Sequence, residues 1–399
     1  MKKDFMFLSE SVTEGHPDKL CDQISDAIVD RFLQHDPLAR IRAECAAACS
    51  IVYIAARFAS PAMVDITHLA RQVIDQVGYR DSTFSSRTCS IITSIQEEPQ
   101  NATQRFDENS LDDAELNRIT AQDQAAVFGF ACRQTAAFLP LPIWLAHRLA
   151  RRLSAVRFQK LLPYLAPDGK TQVGIEFRER RPYRIHSITL LTSHHGSAPV
   201  PDKLAADLRE TVIAPVFQDE LLRPDERTRI YINPNGPVLD GGSALHAGLT
   251  GRKTAVDTYG EYSRNSGNAL SGKDPLRIDR IGTYAARYAA KNLVAGGLAD
   301  ECEVQLSYTI GLAAPASVQV ETFGTGRLDD EDLARLVQEM FDFRPAAILR
   351  RFNLRRLPQA LPGGFYRKLA AYGQIGRMDM GLPWERTDLA PALRHMTNS

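Results

Sequence analysis

The stretch "GHPDKLCDQISDAI", residues 15–28, reads as the start of a helix. Pro17 stands where a first helical residue is favoured, and Leu20, Ile24 and Ile28 then recur every four residues. His16, Asp18 and Lys19 place a base, an acid and a cation at its mouth. On these residues alone two readings stay open. An acid in the first turn complements the helix dipole, so the group can be a cap. A helix N-terminus is also an anion pocket, so the same group can hold a phosphate and a metal.

Around this stretch lie 399 residues, too many for one ordinary core, and two or three domains are expected. Hydrophobic residues make up 44% and charged ones 24%, the balance of a soluble globular chain. Lys plus Arg equals Asp plus Glu at 48 each. Such neutrality argues against a nucleic-acid or membrane-surface role for the whole chain, while leaving room for a local basic pocket. Six cysteines form no C-x-x-C pair. Cys45 and Cys49 lack the His or second pair of a zinc pattern, so reduced, buried thiols are expected. "MKKDFMFLSESVTEG" turns polar too soon for a signal peptide. The most apolar run, "CAAACSIVYIAARFA", is too short for a membrane span and contains Arg57. A cytoplasmic protein with no membrane or nucleic-acid partner is the expectation.

Helix and strand signals alternate along the chain. The first third predicts a strand around "CSIVYIAARF", a helix in "MVDITHLARQVIDQVGY" and a strand in "CSIITSI". A second segment predicts a helix in "LPIWLAHRLARRL", strands in "TQVGIEFRE" and "RIHSITLLTS", and a helix near "LAADLRETVIAPVF". A third holds a Gly-rich stretch, a helix in "TYAARYAAKNLVAGG", and strands in "CEVQLSYTIGL" and "SVQVETFG". The class is α+β, with antiparallel pairing expected. Residues 96–122 are polar and poor in core anchors; a loop of that length inside a compact protein reads as a lid.

The third segment carries the densest chemistry. "GLTGRKTAVDTYG" and "SGNALSGKDP" set Arg252, Lys253 and Lys273 beside glycines, with Asp257, Asp274 and Asp279 nearby. Glycines let backbone amides approach an anion and the cations supply charge, which together suit a polyphosphate. The Walker spacing fails, since Asp274 follows Lys273.

Taken together, "SESVTEGHPDKLCDQISDAIVD" (9–30), "PDGKTQV" (167–173), "GLTGRKTAVDTYG" (248–260) and "SGKDP" (271–275) resemble the S-adenosylmethionine synthetase family. So do "YAARYAAKN" (284–292), "GLADECEVQLSY" (297–308) and the closing "AAYGQIGR…PWE". The resemblance implies three similar α+β domains in a pseudo-threefold arrangement, here 1–103, 119–238 and 239–386, with 96–122 as the candidate lid. It also implies a homodimer or dimer of dimers with active sites between subunits. The implied reaction passes the adenosyl group of ATP to the sulfur of methionine and releases triphosphate, which is then hydrolysed. By match, His16, Lys170, Arg252, Lys253 and Lys273 would hold the triphosphate. Asp18 and Asp279 would ligate Mg2+, and Glu44 would serve a K+ site. Asp123, Asp168 and Ala269 would line the nucleoside.

The acceptor half departs from the family pattern. Arg57 stands where the resemblance implies a Glu for the methionine amine, Glu98 where it implies a Gln, His246 where it implies an Asp and Arg277 where it implies a Lys. Pro237 and Val238 replace an Arg-Phe pair near adenine, and "ACS" at 48–50 interrupts a family strand. The phosphate residues are spared. A charge-reversed cradle for methionine is physically reasonable, with Glu98 on the amine and Arg57 or Arg277 on the carboxylate. A related amino-acid or thioether acceptor with an extra anionic group is the second reading. A catalytically silent nucleotide-binding paralogue, or partner subunit of a true synthetase, is the third.

Overall fold

The computed structural model describes residues 4–80, 83–100, 105–196, 199–361 and 363–396. Its first half runs β1 (Phe5–Val12), α1 (Pro17–His35), β2 (Arg40–Ala48), β3 (Ile51–Ala59), α2 (Ile66–Val77), β4 (Ser90–Glu97), α3 (Asp113–Leu116), β5 (Ala125–Cys132) and α4 (Leu141–Phe158). After β6 (Leu165–Arg178) and β7 (Arg181–His194) come α5 (Pro201–Leu208) and α6 (Ala214–Phe217). The remainder holds β8 (Arg229–Ile232), β9 (Val238–Leu239), β10 (Gly248–Leu249), α7 (Thr254–Asp257), α8 (Ile278–Gly296), β11 (Glu301–Tyr308) and β12 (Ser317–Glu321).

Local chemistry explains the helix limits. The Asp65 side chain accepts from His68 N–H at the start of α2, and Gly78 ends it in the left-handed conformation that its missing Cβ permits. Helix α8 likewise stops at Gly297, with φ of 83°.

Three sheets form among the described residues, and each takes a strand from a distant part of the chain. The order in the first is β1-β6-β7-β8, with β9 also on β7; in the second β10-β2-β3-β4; in the third β12-β11-β5. Most pairs are antiparallel, as expected, but β3/β4, β7/β8 and β7/β9 are parallel. β1 lies along β6 with Val12 opposite Lys170. β5 lies along β11, and β10 adds two residues to the edge of β2. One core joins α1, α2, the second sheet, β5, α8 and β11; a smaller one joins α4, β6, β7 and the helices after them.

The expected lid is only partly described, since residues 101–104 lie outside the described residues. From 105 onward the segment is tied down. Arg105 grips Asp36 with both Nη atoms at 2.9 and 3.1 Å, and the Arg355–Glu108 pair at 2.9 Å is buried. Asp112 and Glu115 form a reciprocal capping box on α3. All six cysteines are free thiols; five are buried, but Cys49 is exposed at the β2–β3 turn. No helix among the described residues is long and apolar enough to cross a membrane.

Candidate active site

His16 is the N-cap of α1, and its Nδ1 accepts from Asp18 N–H at 3.2 Å. The capping reading of the opening stretch is therefore correct, and it fixes the imidazole chemically. A neutral ring whose Nδ1 accepts carries its proton on Nε2. Burial, then the nearby Lys170, His246 and Lys253, depress its pKa to about 3, with Asp168 opposing them. His16 is thus a neutral donor whose Nε2 is buried with no partner among the described residues.

Close backbone approaches hold this donor in place. A Cβ on Gly15 would lie 2.3 Å from Pro167, and one on Gly248 would lie 2.2 Å from Pro17. Only glycine lets the loop bearing His16 touch both the β6 entrance and β10. Asp168, at that entrance, accepts from Gly242 N–H at 2.9 Å and contacts His246 Nε2 at 3.0 Å. Burial works against its charge, but the hydrogen bond from His246 and the Gly242 amide help to outweigh it and hold its carboxyl below the usual range. The His16 and His246 rings meet edge to face at 5.2 Å.

His16, Asp168 and His246 are close enough together to make a three-ligand metal set. The cap excludes that use: an Nε2 that bears a proton cannot coordinate, and a ligating histidine donates through its other nitrogen rather than accepting there. The trio sets a buried Nε2 of His16 and the free Oδ1 of Asp168 in one place, neither with a hydrogen-bond partner among the described residues.

Cations complete this first group. Lys170 lies opposite Val12, and its field reaches His16. Lys253 pairs with Glu10, and Arg252 stands 3.9 Å from Asp18. Asp18 takes the Leu249 N–H on Oδ1 at 3.0 Å. Lys19, at the mouth by sequence, is fully buried between Asp22 at 2.9 Å and Asp257. Burial disfavours its charge, yet the two carboxylates raise its pKa. It ties α1 to α7 within the core.

A second group sits on the solvent face of the second sheet. Arg42, Glu44, Arg57, Ser94 and Gln96 line a cavity of about 390 Å³ there. Strand register explains the company, since Arg42, Arg57 and Gln96 lie side by side across β2, β3 and β4. Arg42 holds Glu44 at 3.0 Å, whereas Arg57 has no hydrogen bond or ion pair among the described residues. Lys273 bridges to Arg42 through the backbone and pairs with Asp279 at 2.6 Å, which also accepts from Asn268 at 2.8 Å. Arg277 stands 3.9 Å from Asp274, which binds Arg40; Arg40 in turn reaches Gln122, beside Asp123. Ala269 packs against Gly251, the residue before Arg252. Glu98 follows β4, its backbone bonded to Phe58.

Within one chain the expected site residues therefore form two groups. His16, Asp18, Asp168, Lys170, His246, Arg252 and Lys253 make the first. Glu44, Arg57, Lys273 and Asp279 make the second, with Asp123 and Arg277 on its flank. The expected metal pair, Asp18 and Asp279, is divided between them. Sequence reasoning missed Glu10 and Arg42; only the alternation of Arg42 with Glu44 along an exposed strand face signalled the latter.

Comparison with known proteins follows the same lines. The S-adenosylmethionine synthetase N-terminal, central and C-terminal domain families match residues 4–100, 118–238 and 240–386. The S-adenosylmethionine synthase of Synechococcus sp. (strain JA-3-3Ab) is 50% identical over 402 residues, covering 98% of this chain and 97% of the relative. That of Rippkaea orientalis is 48% identical over 408 residues, covering 99% and 97%. The chain belongs to the S-adenosylmethionine synthetase family.

Proposed function

We propose that this member of the family transfers the adenosyl group of ATP to the sulfur of methionine, or of a close analogue, and expels triphosphate into the first group. The observation that carries the reading is His16 Nε2 at a helix N-terminus, buried with no hydrogen-bond partner among the described residues, in the field of Lys170 and Lys253 and with Arg252 3.9 Å from Asp18. Sulfur attacks C5′ and the C5′–O bond breaks with its electron pair leaving on the triphosphate, so the acceptor becomes a sulfonium cation. Neutral sulfur is already a nucleophile, and no general base is required. The chain's task is alignment and stabilisation of charge on the leaving oxygens, which His16 Nε2–H and the three cations supply. Asp168 would take a nucleoside hydroxyl or amine through its unpartnered Oδ1.

The second group would come from a second copy of the chain. Ile51, Tyr53, Ile92 and Leu249, all exposed, share the sheet face that carries Arg42 and Arg57. An apolar stripe of this kind supports a homodimer across that face, with each site built from both copies. The domain limits 1–103, 119–238 and 239–386, a lid in 96–122 and a cytoplasmic location belong to the same proposal.

The carboxylates present fit the expected metals. Asp18 Oδ2 lies 3.7 Å from the capping histidine and accepts no hydrogen bond from the described residues, so it can face a hard cation such as Mg2+. Asp279 would join it from the second copy. Arg42 engages one oxygen of Glu44, leaving the other for K+. Bound Mg2+ would neutralise charge on the departing triphosphate.

Arg57, unpaired in its cavity, supports an acceptor whose anionic group it receives. Mass spectrometry of products from ATP, Mg2+, K+ and a panel of methionine and thioethers tests the proposal. An adenosyl-sulfonium product is expected; intact ATP with every acceptor would overturn it in favour of a silent nucleotide-binding subunit.

A further inference from the structure

Gln374 is fully buried, and its backbone and both ends of its side-chain amide are engaged. Its N–H donates to the Asp257 carbonyl at 2.8 Å, and its carbonyl accepts from Trp384 Nε1 at 3.0 Å. In the side chain, Nε2 donates to Ser271 Oγ at 3.1 Å, while Oε1 accepts from the Tyr284 hydroxyl at 2.6 Å. An uncharged amide is the group that gives a donor to one neighbour and an acceptor to the other.

Two of these contacts lead to the cationic segments of the candidate site. Asp257 ends α7, and its own N–H donates to the Lys253 carbonyl at 3.0 Å. Ser271 lies two residues before Lys273. Gly272, between them, donates to Asp26 Oδ1 at 2.8 Å and gives its carbonyl to Ala43 N–H at 2.8 Å. A Cβ on Gly272 would lie 2.0 Å from the Ala43 carbonyl, so this loop sits directly on β2. The other two contacts lead into the core. Tyr284 and Trp384 stack with ring centres 3.8 Å apart, and both are fully buried. Gln374 thus hangs from the core by Tyr284 and Trp384 and reaches the site through Asp257 and Ser271.

Resting on the function proposed above, we propose that Gln374 is a positioning residue for adenosyl transfer. It holds the Arg252–Lys253 segment and the Lys273 loop at a fixed spacing, so that each cation meets the triphosphate in place. Gln374 itself touches no reacting atom. A misplacement of about 1 Å at a charge-stabilising group costs on the order of a hundredfold in rate.

The test is kinetics of the full chain with ATP, Mg2+, K+ and whichever thioether of the panel gives product, together with amide exchange. Gln374→Met nearly keeps the volume and removes both side-chain hydrogen bonds. Its kcat should fall at least tenfold while KM for the thioether changes less than twofold, and exchange at Gly272 should quicken at least tenfold. Ser271→Ala should do the same, and the double variant should be no slower than the worse of the two. Tyr284→Phe frees only the core end of the amide; it should lower the urea midpoint and keep kcat within twofold. A smaller loss of kcat in Gln374→Met, an additive loss in the double variant, or a loss beyond twofold in Tyr284→Phe would each overturn the assignment. Should Gln374→Met fail to fold, Ser271→Ala set against Tyr284→Phe decides it by the same limits. A wild type that forms no product overturns the proposed function instead; unchanged exchange at Gly272 in Ser271→Ala then overturns the positioning role.

Discussion

Replacing His16 by Asn separates the two tasks of the residue. Asn is among the strongest N-caps, so α1 keeps its first turn and stability should change by no more than about 0.5 kcal/mol. What disappears is the Nε2–H donor, buried with no partner among the described residues. A hydrogen bond to a charged group contributes about 1.5–3 kcal/mol, so kcat/KM for ATP should fall by roughly 10- to 150-fold. His16→Ala loses the cap as well and should cost about 1 kcal/mol of stability on top of a similar kinetic loss. The pH response gives an independent reading. A histidine whose folded pKa is depressed to about 3 stabilises the fold fully above the unfolded value of 6.5. That contribution is lost as pH falls from 6.5 towards 3, because the unfolded chain takes the proton first. Over that window wild type should lose up to about 1.4 kcal/mol per pH unit more than His16→Asn. Urea denaturation at pH 7, 5.5 and 4.5, with steady-state kinetics at pH 7, measures both. Unchanged kcat/KM in His16→Asn, or parallel pH slopes for the two proteins, would refute the neutral-donor assignment.

Lys273→Ala should weaken triphosphate binding at least tenfold and destabilise the fold, since it strips the buried Asp279 of its ion pair; calorimetry with tripolyphosphate and a urea titration report the two effects. Arg57→Glu alone should not increase turnover of methionine, because Glu98 and the new acid would then share a site; a rise in kcat/KM would contradict the charge-reversed cradle. Arg355→Ala leaves Glu108 buried and unpaired, so a loss of about 3–5 kcal/mol is expected, with faster protease cutting within 105–122. Unaltered cutting would show that segment to be held by other means.

Much of the candidate site was legible because its signals are local. The helix start at Pro17, the glycines of the third segment and the cations beside them each occupy a few consecutive residues. Helices α2, α4 and α8 followed from periodicity and from the glycines that end two of them. β2 was hidden: "RIRAECAAA" alternates weakly because small alanines fill both of its faces. β1 and β5 carried no signal strong enough to mark them, since each is completed by a partner more than a hundred residues away.

What the sequence determined by itself is the set of residue types and the elements that bear them. It supplied a capped helix with an acid and an imidazole at its mouth, lysines and arginines beside glycines, and an Arg57 where the resemblance implies an acid. Only the tertiary structure decided which of those charges gather in the candidate site and which pair with each other in the core. Lys19 and Asp257 look as available as His16 and Asp18, yet folding buries them against one another inside α1 and α7. Strand exchange among the three sheets sets Asp168 and Lys170 beside His16, and leaves Arg57 on another face. The physical reason is that periodicity is written over neighbouring residues, whereas the choice of partner at a sheet edge depends on every other segment competing for it.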